Sequence, residues 1–94
     1  MSDLPAAFQV RITGRVQGVG FRFWTRGEAE RLGLRGWVRN EPDGSVTALI
    51  AGSGEATTAM LKSLWNGPRG AAVSNVDAKP ASAEAAPAGF EIRG

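Results

Sequence analysis

The stretch Phe8-Gln9-Val10-Arg11-Ile12-Thr13-Gly14-Arg15-Val16-Gln17-Gly18-Val19-Gly20-Phe21-Arg22 changes its periodicity twice. Apolar Phe8, Val10 and Ile12 alternate with polar Gln9, Arg11 and Thr13, the period-two pattern of a strand with one buried face. Gly14 is expected to stop that strand, and Arg15 to Gly20 reads as a glycine-punctuated loop. From Phe21 the spacing turns helical. Phe21, Trp24, Thr25, Ala29 and Leu32 share one face, interrupted by Glu28, and Gly33 is a suitable residue for ending the helix.

The rest of the chain follows in the same terms. Residues 1–6 are expected to form a flexible lead and residues 7–94 one domain. Gly36-Trp37-Val38-Arg39-Asn40 is a second strand, Glu41-Pro42-Asp43-Gly44 a turn, and Ser45 to Ala51 the other arm of a hairpin. Ser53, Gly54 and Glu55 open a second helix whose apolar face holds Ala56, Ala59, Met60, Ser63 and Leu64, and Asn66-Gly67-Pro68 ends it. Ala72 to Ala78 is a strand in which Val73 and Val76, three apart, break alternation in the way a bulge does. Lys79 to Gly89, rich in Ala, Pro and Ser, reads as a loop, and Phe90 and Ile92 alternate in a short final strand. The order is βαββαβ plus a short extra C-terminal strand. It predicts an α+β (α/β) ferredoxin-like sandwich, two helices packed on one face of a mostly antiparallel sheet.

Composition narrows the chemistry. Ninety-four residues suit a single small domain with a modest core. The chain has no cysteine and no histidine. It therefore has no thiolate, no imidazole base and neither of the side chains that most often bind zinc, so a zinc site is not expected. Net charge is +2, with seven arginines against three acids in residues 1–40 and four basic groups against six acids in residues 41–94. That asymmetry fits a local anion site better than a wholly basic nucleic-acid surface. The first residues lack the basic and apolar regions of a secretory signal, and no apolar run is long enough for a membrane span. The protein is expected in the cytoplasm as a monomer, with no membrane or nucleic-acid partner.

The loop between the first strand and the first helix carries the strongest chemical signal. Main-chain N–H groups at such a junction point outward, and the helix dipole favours negative charge there. Gly18 and Gly20 let the backbone approach a ligand closely, and the planar fork of Arg22 matches two phosphate oxygens. The triphosphate-binding loop needs Gly-Lys-Ser/Thr, whereas this one continues Gly-Phe-Arg. A dinucleotide fingerprint starting at Gly18 would need a small residue where Phe23 stands. On glycine usage alone, a purely structural turn remains as good an explanation. Asn40 by itself reads better as a turn-flanking residue bonded to its own backbone, and only together with the first signature as a functional one.

The run Ile12-Thr13-Gly14-Arg15-Val16-Gln17-Gly18-Val19-Gly20-Phe21-Arg22 resembles the first signature of the acylphosphatase family, with every fixed position filled. Gly36-Trp37-Val38-Arg39-Asn40, Gly44-Ser45-Val46 and Gly52 are similar to its second, and a looser likeness extends through Gly67-Pro68 to Gly89-Phe90-Glu91-Ile92-Arg93. The chain departs from the family in ending at Gly94, where an aromatic or aliphatic residue often follows the last arginine. The resemblance implies this same sandwich and a metal-independent, cofactor-free hydrolase of small-molecule acyl phosphates, releasing inorganic phosphate. It further implies that Arg22 binds the phosphate with the N–H groups of Val16, Gln17, Gly18, Val19, Gly20 and Phe21, and that Asn40 positions the attacking water.

That chemistry is feasible without histidine. The leaving group is already a carboxylate, so the needs reduce to charge neutralisation and in-line alignment of water. Asparagine is no base, so the phosphate itself is expected to take the water proton. Two rivals differ in class. An RNA-binding module of the RRM type shares the element order but needs aromatic residues on its third strand, and Ser45 to Ala51 has none. A phosphate-sensing domain would keep the loop and lack turnover. An acylphosphatase-like unit also heads larger carbamoyl-transfer maturation proteins.

Overall fold

The computed structural model describes residues 4–94. In chain order they form β1 (Pro5–Arg15), α1 (Phe21–Arg31), β2 (Arg35–Asn40), β3 (Val46–Ser53), α2 (Gly54–Asn66), β4 (Ala72–Pro80), a 3-10 turn (Ala83–Ala85) and β5 (Phe90–Arg93). The five strands make one sheet in the order β4-β1-β3-β2-β5. The pairings β1–β3, β1–β4 and β2–β3 are antiparallel, and β2–β5 is parallel. α1 lies over β2 and β5, and α2 over β4, β1 and β3. This is the expected ferredoxin-like sandwich, with β3 in the middle of the sheet and β1 between β4 and β3.

Register explains why one face is dry. Val10 opposes Ala48, which opposes Val38 across β1, β3 and β2, and Ile12 opposes Val46. All five are fully buried, together with Ile50, Phe21, Met60 and Leu64 from the same cluster. Phe21 and Trp24 meet at 5.5 Å between ring centroids, a tilted contact in the range aromatic pairs prefer. The opposite face carries Arg11, Thr47, Arg39 and Arg93 in one cross-strand row. Its arginines are each neutralised: Arg11 by Asp43 at 2.6 Å, Arg39 by Glu41 at 2.7 Å and Arg93 by Glu91 at 3.0 Å.

Several boundaries differ from the sequence expectation: β2 starts at Arg35 and not Gly36, and β3 runs Val46–Ser53 where Ser45 to Ala51 was expected. β1 begins at Pro5, inside the stretch 1–6 read as a flexible lead, because Pro5 and Ala6 pair with Ser53 and Gly52 of β3. Residues 1–3 of that lead lie outside the described residues. Gly14 does not stop β1. It sits where Ser74 is squeezed out of register between Asn75 and Val73, so the bulge suspected in β4 faces it. At Gly14 φ is +120°, and a Cβ would strike Ala72 O and lie 2.7 Å from Ser74 N. The glycine admits the bulge and the strand continues to Arg15. Finally, β4 extends to Pro80, and Ala83–Ala85 add a 3-10 turn inside the segment read as a loop.

Helix ends follow their local chemistry. The Ser53 side chain accepts from the Ala56 N–H at 3.0 Å and caps α2, with Glu55 in the first turn. On the inner side α2 buries Ala56, Thr57, Met60 and Leu64, adding Thr57 to the expected face. The hairpin turn before β3 is braced by Asp43, whose Oδ1 accepts from the Ser45 N–H at 2.9 Å and Oγ–H at 2.6 Å. These two bonds, and then the Arg11 guanidinium, hold the Asp43 carboxyl well below the usual carboxylate range.

Gly36 is the tightest point of the sheet. Its φ is +145°, a Cβ there would collide with the Leu49 carbonyl, and the Phe90 ring edge occupies the remaining space at 3.2 Å. Gly36→Ala is expected to destabilise the fold by at least about 2 kcal/mol, combining overpacking with a disfavoured backbone; urea unfolding monitored by tryptophan fluorescence measures it. A depressed carboxyl stabilises the fold fully above its unfolded pKa of about 3.9 and loses that effect only as pH falls through the lower folded value. Carboxyl-resolved NMR should therefore find Asp43 titrating below the ordinary Asp midpoint. Asp43→Asn should remove that contribution to the fall in stability in strong acid while keeping an acceptor for Ser45.

Candidate active site

The end of β1 delivers the chain to α1 through residues 16–20, and Gly18 and Gly20 adopt φ of +76° and +73°. No heavy atom lies within 4 Å of where a Cβ would stand at either, so glycine is there for its backbone angle and the space beside it is open. Gly20 is the N-terminal cap of α1 in left-handed conformation and offers no side-chain cap. Its carbonyl accepts the first helical bond, from the Trp24 N–H at 3.0 Å. The N–H groups of Phe21, Arg22 and Phe23 therefore have no acceptor inside the helix. No acidic residue occupies the first turn of α1. α2, closed by Ser53, differs in this respect.

A recess of about 150 Å³ opens at this point, lined by Val16, Gln17, Gly18, Gly20, Phe21, Arg22, Phe23 and Asn40. Arg22 comes from the first turn of α1 and Asn40 from the last residue of β2, so two successive elements meet over the loop. Among the described residues Arg22 makes no ion pair; its Nη1 donates only a long bond, 3.4 Å, to the Gly94 carbonyl. The Asn40 Oδ1 is buried and has no hydrogen-bond partner. A buried carbonyl oxygen left unpaired is costly in a finished fold and marks a place where a solvent molecule or ligand belongs.

Gln17 ties the two halves of the recess together. Its Nε2 donates to the carbonyls of Glu41 and Ser45, both at 2.8 Å, pinning the loop to the turn that follows Asn40. That matches a bracing role for Gln17. Of the loop residues singled out in the sequence, Val19 alone is missing from the lining: its side chain packs against the core. Arg15 is exposed outside the recess, and Arg39 lies over the Trp37 ring at 4.8 Å on the other sheet face. Phe23 was not singled out from the sequence, yet it lines the recess; the available signal was a large aromatic directly after Arg22 on the outward side of an amphipathic helix.

Comparison with known proteins agrees with this geometry. The acylphosphatase family model matches residues 8–92. An acylphosphatase of Rhizobium etli is 60% identical over 94 residues, covering all of both chains. One from Rhizobium meliloti is 68% identical over 83 residues, covering 88% of this chain and 87% of its own. The solved structure of an acylphosphatase from Coxiella burnetii superposes with a TM-score of 0.90 at 37% identity, covering 95% of this chain and 93% of that one. Its sheet order, its loop of left-handed glycines and a match across nearly its whole length place this chain in the acylphosphatase family.

Proposed function

We propose that this chain hydrolyses acyl phosphates to a carboxylate and inorganic phosphate by direct in-line attack of water, with Arg22 and the loop amides holding the phosphoryl group and Asn40 holding the water. The observation that carries this reading is the buried Asn40 Oδ1, which among the described residues has no hydrogen-bond partner and shares the recess with an arginine that makes no ion pair with them. A water donating one proton to Oδ1 has a lone pair free to attack phosphorus. The Arg22 guanidinium spans two equatorial phosphoryl oxygens, and the amide groups of residues 16–21 meet the remaining charge. The loop is already in its left-handed shape, so little reorganisation accompanies binding.

The rest follows from the substrate. The bond to the departing carboxylate breaks as the water oxygen bonds to phosphorus, and a phosphoryl oxygen takes the water proton. No covalent phosphoenzyme and no metal enter this scheme. The reading includes a cytoplasmic monomer acting on small molecules. Lack of an RNA partner is supported by β3, whose side chains on the face away from the helices, Thr47, Leu49 and Ala51, are buried and include no aromatic, and by Trp37, whose ring lies under Arg39 and Arg93. Among the described residues no helix is long and apolar enough to cross a membrane.

Phosphate release from benzoyl phosphate, with a simple alkyl phosphate ester as control, tests the activity: cleavage of the first and not the second is expected, unchanged by EDTA. Arg22→Ala should abolish both inhibition by inorganic phosphate and turnover, and Arg22→Lys should stay severely impaired because the bidentate geometry is lost. Asn40→Ala should leave phosphate inhibition nearly intact while lowering kcat by about a hundredfold or more, the scale for removal of one positioned polar group. Near-wild-type rates in both alanine variants would overturn the assignment.

A further inference from the structure

The recess of about 150 Å³ is roughly half the smallest volume usual for a whole small-molecule ligand, about 300 Å³. It has room for a head group, so the acyl part of the substrate must rest at its mouth. Three of the lining residues carry apolar side chains. Val16 and Phe21 are 1% and 2% exposed and belong to the core. Phe23 is 64% exposed. It follows Arg22 directly in the first turn of α1, and the Arg26 guanidinium, one turn further on, sits 5.6 Å from its ring centroid. The Phe23 ring makes no contribution to the buried cluster. A large aromatic ring held in solvent by a cation beside it, at the edge of a polar recess, has apolar surface to offer a ligand.

We propose that Phe23 is a specificity-determining residue that contacts the acyl group and selects acyl phosphates with aromatic or bulky apolar acyl parts over small ones. This rests on the reading of the recess as the phosphate site. Bringing an acyl ring against Phe23 removes apolar surface of both from water, and offset or edge-to-face ring contact adds to that. The contact is the same before and during bond cleavage, so it acts on KM more than on kcat. An acetyl group is too small to cover the ring and gains little.

The test compares wild type, Phe23→Ala and Phe23→Tyr with benzoyl phosphate and acetyl phosphate, and measures competitive inhibition by inorganic phosphate in each. In Phe23→Ala the ratio of kcat/KM for benzoyl over acetyl phosphate should fall about fivefold, through the KM for benzoyl phosphate. Phe23→Tyr should hold the wild-type ratio, and the phosphate inhibition constant should stay within about twofold in both variants. The ring lies outside the core, so Phe23→Ala should fold. An unchanged ratio in Phe23→Ala overturns the proposal. So does a phosphate inhibition constant weakened about tenfold, because Phe23 would then shape the head-group site. Failure of phosphate to inhibit the wild type would instead remove the phosphate reading itself, and the acyl contact with it.

Discussion

Two consecutive turns of main chain in the left-handed region, at Gly18 and Gly20, are the constraint on which the site depends. A chain without histidine or cysteine has only arginine, carboxamide and backbone donors to set around an anion. Backbone N–H groups converge on one point only when the chain turns through angles that side chains resist. The rest of the molecule can be understood as holding that short segment still. β1 supplies one end and is flanked on both sides by antiparallel partners. α1 supplies the other, its first turn left without a side-chain cap.

The two helices divide the work. α2 is closed by Ser53 at its start and fills the sandwich with Met60 and Leu64. α1 packs with Phe21, Thr25 and Ala29 and leaves its N-terminal amides facing the recess. The charges follow the same division. Asp43, Glu41 and Glu91 neutralise Arg11, Arg39 and Arg93, while among the described residues Arg22 makes no ion pair that would compete with a ligand. Pairs as exposed as these add little to stability.

Much of this was legible in the residues. Alternation of Phe8, Val10 and Ile12 identified a half-buried strand because its partners Ile50, Ala48 and Val46 share the same parity. Val73 and Val76 gave away the bulge in β4 because an extra residue shifts that parity locally. Gly14 misled because a glycine inside a strand looks like a stop, whereas its role depends on a strand some sixty residues later in the chain. Pro5 and Ala6 were invisible as strand because only their pairing to β3 makes them so. In the site, Arg22 and Asn40 were readable from the signatures. Phe23 was not, because exposure of an aromatic is a property of the assembled helix. The two acceptors of Gln17 are set by the β2–β3 turn and appear in no local pattern.

The Gln17 bonds have a thermal corollary. The glycine loop is continuous with the interior strand β1 at one end and stapled to the neighbouring hairpin by a carboxamide, so it belongs to the same cooperative unit as the sheet. A site on a loosely attached flap would be lost on warming well before the scaffold melted. Here the recess and the tertiary structure are lost in one step, and catalytic output on a temperature ramp, once divided by the ordinary rise of rate with temperature, follows the folded fraction.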